Sequence, residues 1–346
     1  MLNDTRRLAT AATIHDIRPI PDADAIEYGL VRGWPVVIGK GEFHDGEAVL
    51  YIEPDAALPV DDPRFANLAS RGTKTIDDKV YHVLRTIRLR GQLSQGIVFP
   101  ATAFPEVNDP DCDLDAALGI LLWEPPQAPV GADWKGPWNL GWLQKTDAER
   151  VQNLSDDWLA TADDGLWVAT EKIDGSSITY ALGEDGDLHI YSRNNELEPD
   201  PTSTPMELAA TYEVADWMRD HKVDAIQAEM YGNQIQSNRL RVSGHRLAVF
   251  AAWEHRLVAG RLAHDRLDTV LNSPGTLPAV PVFDLPFPHT IEEAIAQADG
   301  LKSLVNPDRL AEGIVWHHIG DADFPDLDYR LVFKAVSPAY LIKYGL

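Results

Sequence analysis

The sequence predicts an α+β protein built from a β-rich N-terminal module and a C-terminal module that mixes strands with helices. Its 346 residues are enough for two domains of about 150 residues each. From Thr13 to Phe99, short apolar runs alternate with glycine-containing turns, a pattern typical of small all-β domains. After residue 132, strand-like runs stand beside segments with helical spacing.

Glycine-containing turns mark the ends of the predicted N-terminal strands. Arg32-Gly33, Gly39-Lys40-Gly41 and His44-Asp45-Gly46 each interrupt an apolar run, and short strands joined in this way predict a small barrel. We expect a five-stranded barrel of the OB type. Its predicted strands include Tyr28–Val31, Trp34–Ile38, Ala48–Ile52, Tyr81–Leu84 and Gly96–Phe99.

An acidic, proline-rich stretch separates the two modules. Residues 109–132 include the segments Asp109–Asp113 and Glu124–Pro129, whose composition is typical of a connector. We therefore predict an OB-like, nucleic-acid-binding domain over residues 1–122, a linker over 123–137 and a second domain over 138–346.

The C-terminal module contains both helical patterns and strand-like apolar runs. Apolar residues at helical spacing predict a helix within Met206–His221, and Thr290 followed by Glu292 and Glu293 is typical of a helix start. The predicted strands are Leu166–Thr170, Ile178–Ala181, Ala225–Met230, Leu247–Trp253, Gly313–His317 and Arg330–Lys334.

Several classes of protein are excluded by composition. The single cysteine, Cys112, allows no intramolecular disulfide and no cysteine-rich zinc site. The apolar stretch between Asp115 and Glu124 is far shorter than the roughly 20 residues of a membrane helix. No apolar signal segment follows Met1, so we expect a cytoplasmic protein with no membrane and no disulfide partner.

The sharpest local signal is Glu171-Lys172-Ile173-Asp174-Gly175, which follows a predicted strand. Asp-Gly predicts a tight turn that leads into a second strand, so the lysine is held in place, although a solvated surface lysine also fits the pattern. Four more charged residues stand at the start or end of apolar strands in the same module. They are Arg193, Glu229, Glu312 and Lys334.

These five residues, in this order, resemble the motifs of the covalent nucleotidyltransferase superfamily of ATP-dependent ligases and mRNA capping enzymes. The details resemble the fifth family of ATP-dependent RNA ligases, in which an OB-type domain precedes an ATP-grasp-like nucleotidyltransferase domain of antiparallel sheets and helices. The run Thr86–Gly96 adds to the N-terminal resemblance. The matching motifs are Lys172–Gly175, Ser192–Asn194, Glu229–Gly232, Leu247–Trp253, Glu312–Val315 and Leu331–Lys334.

The resemblance implies a reaction in which Lys172 attacks the α-phosphorus of ATP and forms lysyl-AMP. The AMP then passes to a 5′-phosphate end, and a 3′-hydroxyl displaces it, at nicks with an RNA 3′-hydroxyl strand. An unperturbed lysine is uncharged in only about one molecule in 2,000 at pH 7, and the carboxylates of Asp174 and Glu171 would lower that fraction. We therefore expect Mg²⁺ or Mn²⁺ to favour the neutral amine together with Lys334.

The resemblance also implies the remaining roles. Lys334 is expected to stabilise the α-phosphate, and Glu312 and Glu229 to hold the metal and its waters. Glu229 and Arg193 would contact the ribose, and Phe250, or else Trp253, would stack on adenine. The other expected nucleotide contacts are Glu171, Ile173 and Gly175, together with Arg150 and Gln152 from the polar run that begins at Lys145.

One departure separates this chain from many relatives, which carry Lys-x-Lys in the last motif. Lys334 is followed by Ala335 and Val336, so the second lysine is missing, and Lys343 is a distant substitute.

Three other functions are compatible with parts of the pattern. A nucleic-acid-binding OB protein with an inactive second domain and an acidic interaction scaffold would not need all five charged residues. A DNA ligase or capping enzyme usually carries its OB domain after the catalytic domain, and the short stretch after Lys334 leaves no room for one.

The charge distribution bears on the partner. The formal net charge of -24 opposes phosphate binding, but residues 101–130 contain six acidic and no basic residues. Residues 71–90 are locally basic, a pattern that suits an OB groove for single strands. The expected partner is RNA, or a nicked duplex of RNA and DNA, and the expected state is a monomer. The basic residues of this segment are Arg71, Lys74, Lys79, Arg85, Arg88 and Arg90.

Overall fold

The structure, a computed structural model, describes residues 7–123, 131–143, 148–162, 166–254, 262, 264–271, 277–319 and 332–346. The chain divides into two units. The first holds residues 1–125, 152–155 and 341–346, and the second holds residues 126–151 and 156–340. None of the described helices is long and apolar enough to cross a membrane.

The first unit is built on a five-stranded sheet of order β10-β4-β1-β2-β3, next to a four-stranded sheet of order β11-β5-β7-β6 and a β8–β9 hairpin. Its helix is α1 (Leu114–Leu118). Its strands are β1 (Ala9–Pro19), β2 (Ile26–Val31), β3 (Trp34–Gly39), β4 (Ala48–Ile52), β5 (Ala56–Pro59), β6 (Lys74–Ile76), β7 (Lys79–Val83), β8 (Ile87–Leu89), β9 (Gln92–Ser94), β10 (Ile97–Pro100) and β11 (Leu121–Leu122).

Strand β1 curls the five-stranded sheet because its two halves pair with different strands. Ala9–Thr13 pairs with β4, while Ile14–Pro19 pairs with β2. A bulge between His15 and Arg18 bends the strand there, and Asp16 takes a left-handed conformation with φ of 54°. The curled five-stranded sheet confirms the expected OB-type fold, although pattern alone did not predict β1.

The core of the first unit consists of alternate strand residues, as the period of two requires. Trp34, Val36 and Ile38 of β3 are buried with Ile14 and other apolar residues of the five-stranded sheet. The indole Nε1 of Trp34 donates to Asn153 Oδ1 at 3.0 Å, which satisfies the polar atom of this fully buried ring.

The second unit contains two sheets. Six strands form an antiparallel sheet of order β12-β17-β16-β15-β18-β19, and five form a sheet of order β13-β22-β21-β14-β20, in which only β13 runs parallel to its neighbour. The strands are β12 (Trp134–Pro137), β13 (Glu149–Arg150), β14 (Trp167–Lys172), β15 (Ser176–Leu182), β16 (Leu188–Ser192), β17 (Asn195–Leu197), β18 (Ala225–Gly232), β19 (His245–Trp253), β20 (Val282–Phe283), β21 (Gly313–His318) and β22 (Val332–Val336).

Helices cover these sheets with their apolar faces. Leu208, Trp217 and Met218 pack in the main core with strand residues such as Ile178 and Ile226 of the six-stranded sheet. The helices are α2 (Asp156–Thr161), α3 (Thr204–Thr211), α4 (Val214–His221), α5 (His264–Leu271), α6 (Ile291–Ala298) and α7 (Pro338–Tyr344), the last of which continues into the residues of the first unit.

Two predicted segments differ from the structure. The helix predicted within Met206–His221 is two helices, because Glu213 adopts the left-handed conformation (φ 48°) and ends the first before the second begins. Trp134–Pro137, within the predicted linker, forms β12 and pairs with β17. Thr290 caps α6 as expected, since its hydroxyl accepts from the backbone N–H of Glu293 at 3.1 Å.

The segment Ile173–Gly175 connects the two sheets of the second unit. It was expected to be a tight turn between neighbouring strands, but β14 belongs to the five-stranded sheet and β15 to the six-stranded one. Gly175 lies so close to β18 that a Cβ atom there would be 2.1 Å from the carbonyl oxygen of Met230. The glycine is therefore required by backbone packing.

We expect Gly175→Ala to lower the free energy of unfolding by about 2–3 kcal/mol, because a methyl group cannot fit against a backbone carbonyl without moving a strand. Chemical denaturation of the two proteins measures the difference. Gly136→Ala in β12 is the matched control, since its Cβ would meet nothing within 4 Å. Equal stability of the Gly175→Ala protein and the wild type would contradict this account.

Candidate active site

Lys172 and Glu312 form the centre of the site. Lys172 ends β14 opposite Gly313, and Glu312 immediately precedes β21. The Lys172 Nζ donates to Glu312 Oε1 at 2.6 Å, and the two side chains are 27% and 17% exposed. A Cβ on Gly313 would lie 2.3 Å from the carbonyl oxygen of Ala335, so glycine permits β21 and β22 to approach closely beside this pair.

Strand register places two further cations on the same face as Lys172. Lys172 is opposite Gly313, Val315 is opposite Lys334, and Lys334 is opposite Arg150. Opposed residues project to one face, and residues two apart along a strand share a face. The structure thus brings Lys172, Lys334 and Arg150 to one side of the five-stranded sheet.

Glu229 approaches the same pair from the six-stranded sheet. It lies opposite Ser177 in the β15–β18 pairing, just after the connection that follows Lys172. Burial raises the pKa of Glu229 to about 8; Lys172 opposes this rise, and the negative charges of Glu312 and Asp174 add to it. The positive charge of Arg193 also opposes the rise.

The carboxylates decide the charge of the lysine. Burial alone would lower the pKa of Lys172, but the negative charges of Glu312, Glu229 and Asp174 outweigh it, and the pKa of Lys172 is raised. The protonated amine is therefore favoured, and it must lose a proton before it can act as a nucleophile.

Glu171 belongs to the opposite face of β14, where it is buried. Its Oε2 accepts from the backbone N–H groups of Leu304 at 2.8 Å and Val305 at 3.4 Å. Its Oε1 is buried without a hydrogen-bond partner among the described residues, and burial raises the pKa of this carboxyl group. A buried polar atom of this kind requires a donor, which a ligand can supply.

Ile173 and Phe250 belong to one apolar cluster that also includes Val305, whose backbone N–H donates to Glu171. Ile173 packs with Leu240, Ala248 and Val280, and half-buried Phe250 and Val305 pack against them. Trp253, the second candidate for stacking on adenine, is buried in a different cluster with Leu143 and Tyr191. Phe250 also packs against the cluster that contains Trp253, so it borders both clusters.

Other predicted residues are placed elsewhere or are not described. Gln152 belongs to the first unit, where its buried side chain donates to Gln95 Oε1 at 3.3 Å, which gives it a packing role there. Lys343 also belongs to the first unit, with its Nζ 5.5 Å from the ring centroid of Tyr344. Lys145 and Leu331 lie outside the described residues.

Sequence reasoning missed the residues that hold Asp174. The guanidinium of Arg239 donates to both oxygens of Asp174 at 3.0 and 3.1 Å. Burial raises the pKa of the Tyr340 hydroxyl, and the negative charges of Glu312 and Asp174 raise it further. Arg239 lies 65 residues from Asp174 in sequence, and only its position in a polar loop after Glu229 marks it.

The donor set fits a divalent cation bound largely through water. Among the described residues, no group of three His, Cys, Asp or Glu side chains is arranged to hold a metal directly. The carboxylates of Glu312 and Glu229 nevertheless both act on the Lys172 amine, and Mg²⁺ prefers one or two carboxylates together with several waters.

Comparisons with known proteins identify the family of both parts of the chain. A family model of an OB-fold domain matches residues 8–101, and the RNA ligase family model matches residues 165–336. A search of curated proteins gives no match.

Solved structures of the RNA ligase of Naegleria gruberi are similar over almost the whole chain. A mutant with ATP and Mn is 34% identical, with 96% of this chain and 98% of that chain covered and a TM-score of 0.86. An apo mutant is 34% identical, with 97% and 98% covered and a TM-score of 0.87. The enzyme with PPi is 33% identical, with 99% of both chains covered and a TM-score of 0.87. The chain, with its OB-fold domain and its five-stranded sheet carrying Lys172, belongs to the RNA ligase family.

Proposed function

We propose that this chain is an ATP-dependent RNA ligase that joins a 3′-hydroxyl to a 5′-phosphate through lysyl-AMP and an RNA-adenylate. The observation that carries the proposal is the lysine that pairs with Glu312 and shares one sheet face with Lys334 and Arg150. Structures of the Naegleria gruberi relative with ATP and Mn, with AMP and Mn and with PPi support a reaction that takes ATP and a divalent metal.

In the first step, the Lys172 amine attacks the α-phosphorus of ATP. A P–N bond forms, the P–O bond to the β-phosphate breaks, and pyrophosphate leaves. Lys334 and Arg150, on the same face, are placed to stabilise negative charge that develops on the phosphate oxygens. Because Ala335 and Val336 replace the second lysine of the usual motif, Arg150 is our candidate for part of its role.

Glu312 and Glu229 would hold the divalent cation, which supplies positive charge beside the phosphates and the lysine. Glu312 bonds the Lys172 amine at 2.6 Å, so it is the closest acceptor for the proton that the amine loses. Glu229 would also contact the ribose, together with Arg193.

Glu171, Ile173 and Phe250 would form the side of the nucleotide site that contacts adenine. The unpartnered Oε1 of Glu171 suits the exocyclic amino group of adenine, and the apolar surface of Ile173 and Phe250 suits its ring. Gly175 contributes by allowing the chain to pass close to β18 rather than by contact with nucleotide.

The RNA is proposed to bind partly through the OB domain. Register puts Lys74 and Lys79 on one face of the β6–β7 hairpin, and both are exposed, as are Arg88 and Arg90. Arg85 is already engaged inside its own unit, since its guanidinium lies 5.3 Å from the ring centroid of Trp123 and donates to the carbonyl of Gly345. Arg88 donates to the carbonyl of Gly91 at 3.1 Å within its hairpin but is exposed. The proposed RNA contacts are the exposed residues Lys74, Lys79, Arg88 and Arg90. The proposal keeps the predicted domain boundaries, a monomer and a cytoplasmic location.

We expect the wild type to take up label from α-labelled ATP with a divalent metal, and Lys172→Ala to take up none, because no other amine is held at this position. Denaturing gels and peptide mapping check the result. Lys302→Ala, which removes an exposed lysine of the same unit, is the control and should label normally. Absence of label on wild-type Lys172 would remove the basis of the ligase proposal.

We expect the rate of label uptake to rise with pH, because the surrounding carboxylates raise the pKa of Lys172 and only the neutral amine attacks. Added Mg²⁺ should move this profile to lower pH, since positive charge near the carboxylates favours the neutral amine. Initial rates across about pH 6 to 9 at several Mg²⁺ concentrations measure the midpoint. A midpoint that does not respond to Mg²⁺ contradicts this role of the metal.

We expect sealing of a nicked duplex to need RNA at the 3′-hydroxyl side of the break and to tolerate DNA at the 5′-phosphate side. Matched nicks that exchange ribose for deoxyribose on one side at a time measure this preference. Equal sealing of a nick with an all-DNA 3′ strand contradicts the preference but leaves lysyl-AMP formation untouched.

A further inference from the structure

The loop between β18 and β19, residues 233–244, has an unusual backbone. Four of its non-glycine residues lie in the left-handed region: Gln234 (φ 61°), Gln236 (φ 47°), Asn238 (φ 41°) and Arg241 (φ 53°). Asparagine tolerates this conformation, but glutamine and arginine are disfavoured there. A loop with this much backbone strain persists only where its surroundings fix it, and such strain is concentrated at functional sites.

Side chains from inside and outside the loop fix this conformation. Asn238 accepts from the backbone N–H of Val242 at 3.0 Å and donates to its carbonyl at 3.0 Å. The Asn306 amide donates to the carbonyl of Leu240 at 2.8 Å, and the Arg309 guanidinium donates to the carbonyl of Arg239 at 2.7 Å. These hydrogen bonds from Asn306 and Arg309 fix the backbone of Leu240 and Arg239 at the centre of the loop.

The loop delivers the guanidinium of Arg239 to Asp174. One nitrogen of Arg239 contacts both carboxylate oxygens, and the two side chains are only 15% and 11% exposed. A second contact comes from Gln236, which donates to Ser176 Oγ at 3.2 Å, two residues beyond Asp174. A buried ion pair adds little net stability, so we interpret the Arg239–Asp174 pair as one that fixes the position of Asp174.

Asp174 needs such a restraint because of where it lies. It is two residues from Lys172, and its charge acts on the lysine amine and on Glu312. A carboxylate released at this point would compete with Glu312 for the Lys172 ammonium group, since both are acceptors within the same partly buried cluster.

We propose that Arg239 is a positioning residue for nucleotidyl transfer: by holding both oxygens of Asp174, it keeps the Lys172 amine on Glu312, at the sheet face that Lys172 shares with Lys334. This inference rests on the proposed function, because it assigns Arg239 a part in lysyl-AMP formation. Arg239 acts through Asp174 and need not touch the nucleotide.

The test measures single-turnover label uptake from α-labelled ATP in the full chain. Arg239→Met is expected to lower the maximal rate about 10- to 100-fold, as for a misplaced nucleophile, while the ATP concentration for half-maximal rate changes less than about threefold. Arg239→Lys keeps the charge without the guanidinium fork and should fall between wild type and Arg239→Met. Arg241→Met, in the same loop and exposed, is the matched control and should label like the wild type.

A double variant tests whether the effect passes through Asp174. If Arg239 acts by restraining that carboxylate, Arg239→Met combined with Asp174→Asn is no slower than the slower single variant. If the rate reductions of the two single variants multiply in the double variant, the inference is overturned. A wild-type rate for Arg239→Met also overturns it. If Arg239→Met fails to fold, Arg239→Lys decides, and a wild-type rate for it overturns the inference. A wild type that takes up no label overturns the proposed function itself.

Discussion

The ion pair between Lys172 and Glu312 is the interaction on which the site depends. It requires β14 and β21 to pair with Lys172 opposite Gly313, and it requires β22 to lie close to that glycine. Two further carboxylates act on the same lysine amine, and Lys334 and Arg150 lie on the same face of the sheet. The carboxylates repel one another, as do the cationic side chains, so the attraction between opposite charges is partly offset. The surrounding backbone therefore has to hold these groups in place.

That backbone is supplied by close contacts between main chains. Gly175 lies against β18 and Gly313 against β22, and in both cases a Cβ would meet a carbonyl oxygen at less than 2.5 Å. The restrained loop carrying Arg239 adds a third fixed point. The site is thus held by packing that tolerates few substitutions, while its own charged residues contribute little to stability.

Sequence patterns predicted the parts of the molecule that are encoded locally. Ala48–Ile52 appears as predicted, because apolar runs between turns encode strands directly. Lys172, Glu312, Glu229 and Lys334 were predicted as site residues because ordered motifs mark them. The pairing of Arg239 with Asp174, the break at Glu213 and the place of Gln152 in the first unit were not predicted, because each depends on contacts between distant segments or on a single backbone dihedral angle.

Adjacent residues of β14 face opposite sides of one sheet. The carboxylate of Glu171 lies on the side of the backbone N–H of Leu304, whereas Lys172 lies on the side of Glu312 and Lys334. A shift of one residue in the register of β14 would exchange the two sides, with Lys172 buried in place of Glu171. Insertions or deletions within Trp167–Lys172 should therefore be excluded in functional descendants of this chain, whereas the exposed turn around Gly186 can change length without moving either residue.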